Sequence, residues 1–349
     1  MHLFEQLIGT QFGLVVAFLL TASIVVLAGI RLSIYGDALG ERTGLGSGLI
    51  GLIFLAAVTS LPELVVSLTS VIQAKTPAQG ADLATGNMLG SNVFNLLILA
   101  LMALLFPRNF KPGEMKKTHT DSAIYGLIML GIFAVAFATA NVAAMRVPLL
   151  GCSWPVLALP IVYGFIIRRE HGQLEMVPVP EQHLPAESTL AHMPASRFYS
   201  ILALLSSGII GGGILLSILG SRMALPPEQG GFGLEASLIG TLFLAISTSL
   251  PELVISFSSI RMGFLEMSVG NVLGSNMFNL LIIFIADVAL RGHSMLRQAS
   301  ANHWTSVILI LALTFMAGAL LRTKTRAAAT LISLMMILLY IGSMLLFTS

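Results

Sequence analysis

Long apolar runs alternate with short polar ones along the whole chain. A helix crossing a bilayer takes about 20 mostly apolar residues. Ten runs reach that scale, at 12–30, 47–72, 82–106, 121–140, 149–167, 198–219, 234–260, 264–290, 304–321 and 327–347. The stretch 168–197 breaks the pattern: it carries Glu170, Glu175, Glu181 and Glu187, the prolines Pro178, Pro180, Pro185 and Pro194, and three histidines. Such a segment reads as a hydrophilic linker between two five-helix halves, residues 1–167 and 198–349. The first residues, Met1-His2-Leu3-Phe4-Glu5, lack the basic start of a cleavable signal, so the first run is expected to remain as a span.

Lys and Arg set the expected orientation, because cytoplasmic loops are enriched in them. The loops after spans 1, 3, 5, 7 and 9 hold 13 of these residues and the opposite side holds 5. That bias places the 168–197 linker in the cytoplasm and both termini outside.

The two halves repeat each other. Thr59-Ser60-Leu61-Pro62-Glu63-Leu64-Val65 recurs unchanged as Thr248-Ser249-Leu250-Pro251-Glu252-Leu253-Val254. A second block, residues 86–97, returns at 270–281 with ten of twelve positions identical. The first block falls in spans 2 and 7, the second in spans 3 and 8. Five spans per half is an odd number, so the second half enters the membrane upside down. The expected fold is an all-α integral membrane protein of ten transmembrane helices arranged as two inverted five-helix repeats. Repeats of this kind with interrupted helices place a binding site near the midplane, where the halves meet.

Composition supports lipid as the solvent. Apolar residues make up 56% of the 349 and charged residues 10%, against about 25% charged in soluble chains. The formal net charge of +2 is spread between apolar runs and forms no basic block for nucleic acid. The single cysteine, Cys152, excludes an internal disulfide framework and a Cys-rich metal site. All seven histidines lie in or near expected loops and termini. No organic or metal cofactor is expected; the partners are inorganic cations and the bilayer.

Glu63 and Glu252 are the carboxylates near the middle of expected spans. A charge at a helix centre costs about 2.5–3.5 kcal/mol on insertion scales, so intramembrane acids point to function. Each follows a proline. Pro62 and Pro251 have no N–H for the carbonyls of Val58 and Ser247, and their rings open that turn. Freed carbonyls at membrane depth need a partner, and a hard cation is one. Ca2+ takes six to eight oxygens of mixed carboxylate and carbonyl type. Two Glu side chains with loosened carbonyls around Ala56, Thr59, Ala245 and Thr248 supply most of such a shell.

The second block adds a polar stripe. Asn87, Ser91 and Asn95 are four apart and share a helix face, as do Asn271, Ser275 and Asn279. Ser91, Asn95, Ser275 and Asn279 are read as ligands; Asn87 and Asn271 fit either ligation or interhelical hydrogen bonds. Gly86/Gly90 and Gly270/Gly274 are small-residue pairs that let a helix approach closely. Asp82 and Glu266 are expected at the starts of spans 3 and 8, where a carboxylate suits the helix dipole. Gly208, Gly211, Gly212 and Gly213 in span 6 form either a sliding face or a tight packing face.

These blocks resemble the alpha-repeats of the calcium/cation antiporter superfamily, in particular prokaryotic Na+/Ca2+ exchangers. The resemblance covers the ten-span plan, the middle linker and both signature blocks. It implies that Glu63 and Glu252 ligate Ca2+ together with oxygens of Thr59 and Thr248. It implies that Ser60, Ser249, Ser91, Ser275, Asn95, Asn279 and the carbonyls of Ala56 and Ala245 build flanking Na+ sites. Spans 1 and 6 would then slide across the other eight. One position departs from the pattern: some Na+-coupled members carry Asp where this chain has Asn279. The expected function is Ca2+/Na+ exchange across the plasma (inner) membrane by alternating access, with H+-coupled Ca2+ antiport as the alternative. An intramembrane enzyme is disfavoured by the lack of HExxH and of any mid-span histidine. A channel has no need of paired broken-helix repeats.

Overall fold

The computed structural model describes residues 9–111, 117–142, 154–174, 190, 193–233, 247–290 and 294–348. Every described element is helical. In chain order the long helices are α1 (Gln11–Thr43), α2 (Gly46–Gln73), α3 (Pro77–Leu105), α4 (Lys117–Ala138) and α5 (Trp154–Leu174). The second half supplies α6 (Ala195–Ala224), α7 (Leu250–Arg261), α8 (Leu265–Ala289), α9 (His303–Arg322) and α10 (Arg326–Thr348). Eight of these are long and apolar enough to cross a membrane. α5 carries Arg168, Arg169 and Glu170 in its last turns. α7 has twelve described residues, and 234–246 of its expected span lie outside the described set.

Local chemistry sets several boundaries. Thr10 caps α1 by accepting a hydrogen bond from Gly13 N at 3.1 Å. Gly44, at φ 69°, closes the same helix in a left-handed conformation that a Cβ would disfavour. Thr76 and Pro77 start α3, with the Thr76 hydroxyl accepting from Gln79 N at 3.2 Å. α3 therefore begins five residues before Asp82, and that carboxylate is not at the helix start as expected. It accepts instead from Ser300 N at 2.5 Å and pairs with His303 Nε2 at 3.2 Å, tying α3 to the start of α9. Glu266 does lie in the first turn of α8.

The two proline helices differ. α2 runs continuously through Pro62 and contains a π-helical stretch at Ile50–Leu55. Before α7 the chain breaks at Ser249 (φ −101°, ψ 19°), and Pro251 falls in the first turn of α7. There its missing N–H is no loss, because first-turn amides have no intrahelical partner.

Burial ranks the helices by depth. In their most apolar windows α3 is 78% buried and α8 67%, whereas α1 is 39% and α6 28% buried. One apolar cluster joins α3, α4, α5, α8, α9 and α10; a second joins α1 and α6 to α2. Leu14 and Ala17 near the start of α1 cluster with Leu219 and Met223 near the end of α6. At the other end Arg42 of α1 donates to Met193 O at 2.5 Å and to Leu190 O, and lies over the Phe198 ring. α1 and α6 are thus antiparallel. Leu19, Leu20, Ile24 and Leu27 of α1 are exposed while Thr59, Ser60 and Asn95 are buried. This is the reverse of a soluble protein and fits a lipid surround.

Glycine permits close approach at several helix contacts, among them those around the repeated blocks. A Cβ on Gly270 would stand 2.6 Å from Gly48 O, and one on Gly274 would strike the Leu52 backbone, so α8 packs directly on the π-helical stretch. A Cβ on Gly213 would lie 2.6 Å from Pro62 Cγ and 3.2 Å from Pro251 Cγ. The glycine run of α6 therefore crosses over both repeated prolines.

Candidate cation site between the repeated blocks

Helical spacing collects the polar residues of each block on one buried face. On α2 these are Ala56, Thr59, Ser60, Glu63 and Ser67, and at α7 they are Ser249, Glu252, Ser256 and Ser259. Glu63 is 1% exposed and Glu252 is 0% exposed. α3 contributes Ser91, Asn92 and Asn95; α8 contributes Asn271, Ser275, Asn276 and Asn279.

The two halves meet through these side chains. Ser60 Oγ donates to Glu252 Oε1 at 3.4 Å. Thr59 Oγ1 and Ser275 Oγ lie 3.2 Å apart, and Ser249 Oγ donates to Ser91 Oγ at 3.4 Å. Thr59 also donates to Ala56 O at 3.3 Å, which places that carbonyl beside the hydroxyl pair. Each contact except the last joins a residue of one half to a residue of the other. Both Glu63 oxygens, Glu252 Oε2, both polar atoms of Asn95 and Asn279 Oδ1 are buried with no hydrogen-bond partner among the described residues. Most buried polar groups in folded proteins are paired. A cluster of unpaired oxygens around two carboxyls therefore asks for a positive ligand. Among the described residues no Lys, Arg or His is buried, so no side-chain cation neutralises the pair. Carboxyl, hydroxyl and amide oxygens are the donor set of a hard cation. Apposed buried carboxylates are tolerable only with a cation or protons between them.

Of the expected ligands, Ala56, Thr59, Ser60, Glu63, Ser91, Ser249, Glu252 and Ser275 converge. Asn95 and Asn279 lie on the same buried stripes one turn deeper, and they are not equivalent. Asn279 Nδ2 donates to Asn92 Oδ1 at 3.0 Å, whereas the Asn95 side chain has no partner among the described residues. Thr248 is half-buried at the break ahead of α7. Ala245 lies outside the described residues, as do Cys152 and most of the 168–197 linker.

Sequence reasoning passed over Asn92 and Asn276. Each donates its Nδ2 to the backbone carbonyl of the other at 3.3 Å, a reciprocal pair that staples α3 to α8. Their identical place in the second block was the available signal. It also passed over Ser67 and Ser256, which accept from Asn87 and Asn271, each at 3.0 Å. Two further buried acids lie away from this cluster. Asp287 accepts from Met295 N, and Glu170 continues the buried stripe of Val156, Leu159, Tyr163 and Ile166 on α5.

The sequence profile described as sodium/calcium exchanger protein matches residues 13–167 and 201–349. The chain is 28% identical over 278 residues to the putative antiporter CaxA of Alkalimonas amylolytica, covering 76% of this chain and 79% of that protein. It is 27% identical over 274 residues to the sodium/calcium exchanger MaX1 of Methanosarcina acetivorans, covering 71% and 74%. In fold it is similar to the sodium-calcium exchanger NCX_Mj soaked with Na+ and Sr2+. The TM-score there is 0.67 at 19% identity, over 96% of this chain and 98% of that one. These relatives are transporters rather than enzymes. With both halves carrying the profile, this chain belongs to the sodium/calcium exchanger protein family.

Proposed function

We propose that this protein exchanges Ca2+ for Na+ across the plasma (inner) membrane by alternating access. The observation that carries the reading is the meeting of Glu63 and Glu252 from the two repeated blocks. Both Glu63 oxygens and Glu252 Oε2 lack partners among the described residues, Glu252 Oε1 accepts from Ser60, and Thr59, Ser91, Ser249 and Ser275 lie around them. The two carboxylates balance one Ca2+, and Thr59 and Thr248 complete its shell. Ser60, Ser91, Asn95, Ser249, Ser275, Asn279 and the carbonyls of Ala56 and Ala245 bind Na+ on either side. The ten helices insert as two inverted halves, which the antiparallel packing of α1 on α6 supports. The packed pair α1 and α6 slides over the Pro62 and Pro251 turns to open the site to one side at a time.

Proton coupling is the second reading, favoured by Asn279, which leaves two carboxylates able to take two protons in exchange for one Ca2+. Neutral oxygens of Ser91, Asn95, Ser275 and Asn279 weigh toward Na+, because proton exchange does not require them. Ca2+ uptake into vesicles, under Na+ and H+ gradients imposed separately at clamped voltage, tests the coupling. An outward Na+ gradient alone is expected to drive uptake, and Glu63→Gln or Glu252→Gln is expected to abolish it. Uptake that ignores Na+ and follows the pH gradient would assign the chain to proton coupling. Unchanged uptake in either Gln variant would make that Glu structural.

A further inference from the structure

Asn87 and Asn271 occupy matching positions one helical turn outside the ligand serines Ser91 and Ser275. Their side chains make the same two bonds in the two halves. Asn87 Nδ2 donates to Glu63 O at 3.3 Å and to Ser67 Oγ at 3.0 Å. Asn271 Nδ2 donates to Glu252 O at 3.5 Å and to Ser256 Oγ at 3.0 Å. A backbone carbonyl only accepts, so the NH2 end of each amide must face it, and both of its hydrogens are engaged. Each amide therefore bridges the carbonyl of the site glutamate and the serine one turn further on. It ties the glutamate helix to the helix that carries the Ser and Asn oxygens.

We propose that Asn87 and Asn271 are positioning residues: they fix the axial register of α2 on α3 and of α7 on α8, and thereby set the oxygen cage that Glu63 and Glu252 offer to a divalent cation. The inference rests on the cation-exchange reading above. Its physical basis is a comparison of lengths. A slip of one residue along a helix is about 1.5 Å, whereas Ca2+–oxygen distances span only about 2.3–2.6 Å. A register held by nothing but apolar packing is too loose for that tolerance. The amide bridge is directional and repeats in both halves. Groups that orient a metal's ligands typically matter by about 10–100-fold in affinity, and that is the scale expected here.

The test uses the full chain in vesicles, with Ca2+ as the probe, reading the Ca2+ concentration for half-maximal exchange separately from the maximal rate. Asn87→Leu and Asn271→Leu keep the volume and remove the donor. Each is expected to raise the half-maximal Ca2+ concentration by about 10-fold or more, with a smaller change in maximal rate. Asn87→Gln, which keeps a donating amide, is expected to recover part of the loss. Ser67→Ala and Ser256→Ala remove only the acceptor and are expected to shift the same constant. Combined with the Asn variants they should add little, as for partners in one network. If a Leu variant does not fold, the matching Ser→Ala variant decides. Wild-type Ca2+ affinity in Asn87→Leu and Asn271→Leu, or in both Ser→Ala variants, overturns the inference and leaves the exchange reading intact. Absence of Ca2+ exchange in the wild type itself would overturn that reading and the inference together.

Discussion

Glu63 and Glu252 were legible in the sequence because nothing bland accounts for an acid after a proline in the middle of an apolar run, twice. Asn92 and Asn276 were not, because an asparagine among glycines and serines carries no signal of which neighbour it meets. Their reciprocal bond exists only once α3 and α8 cross. Glu170 was assigned to the linker because it follows Arg168 and Arg169, three residues past the expected end of span 5. The helix runs on to Leu174, so position 170 returns to the buried face while Arg169 sits 5.7 Å over the Tyr125 ring. Burial first, then the nearby Asp121 carboxylate, pushes Glu170 up from 4.5 to about 7. Its sign follows from linkage: the folded chain holds this proton more tightly than the unfolded one. Its contribution to stability is full below pH 4.5, falls as pH rises, and is lost above about 7. Glu170→Gln is therefore expected to raise the melting temperature relative to wild type at pH 8, with the gain vanishing near pH 4. A gain independent of pH would show that Glu170 binds its proton equally well in the folded and unfolded chain.

At the scale of elements, the hydropathy pattern located the eight described helices that are long and apolar enough to cross a membrane, because a span is defined by length and apolarity, both linear properties. It did not distinguish α2 from α7, whose seven-residue blocks are identical. One continues through its proline after a π-helical stretch, and the other breaks at Ser249. Ahead of the first block, α8 packs its Gly270 and Gly274 directly on the backbone of Gly48–Leu52. The glycine run of α6 fits either sliding or tight packing, and two of its members are in close contact. Gly213 lies over both prolines and Gly212 against Val25. Gly213→Val is expected to slow exchange strongly and to cost about 1–3 kcal/mol of stability through overpacking. Gly211→Val, at an exposed position with nothing within 4 Å, should do neither. Equal rates in the two variants would mean that α6 does not move against the proline turns.

For the whole molecule, the membrane class was readable from the chain, and the blocks repeated at 59–65 and 248–254 and at 86–97 and 270–281 are the ground for proposing two related halves. The sidedness rests on the distribution of Lys and Arg, 13 on one side and 5 on the other. A cysteine at Ala186 in a Cys152→Ala background is expected to resist an impermeant thiol reagent added outside intact cells; ready labelling would reverse the orientation. The antiparallel packing of α1 and α6, the reciprocal Asn92–Asn276 pair and the matching Asn87 and Asn271 bridges support the proposed inversion of the second half. That arrangement brings one carboxylate from each half to a single place. The claim on which the rest depends is that one cation sits between them. Diffraction from Ca2+-soaked crystals, read as anomalous density, locates it directly. One peak is expected, bridging the Glu63 and Glu252 carboxylates at about 2.3–2.6 Å from their oxygens, with hydroxyls of the repeated blocks completing the shell. No peak there, or a peak confined to another acid such as Asp82 or Glu170, would contradict it.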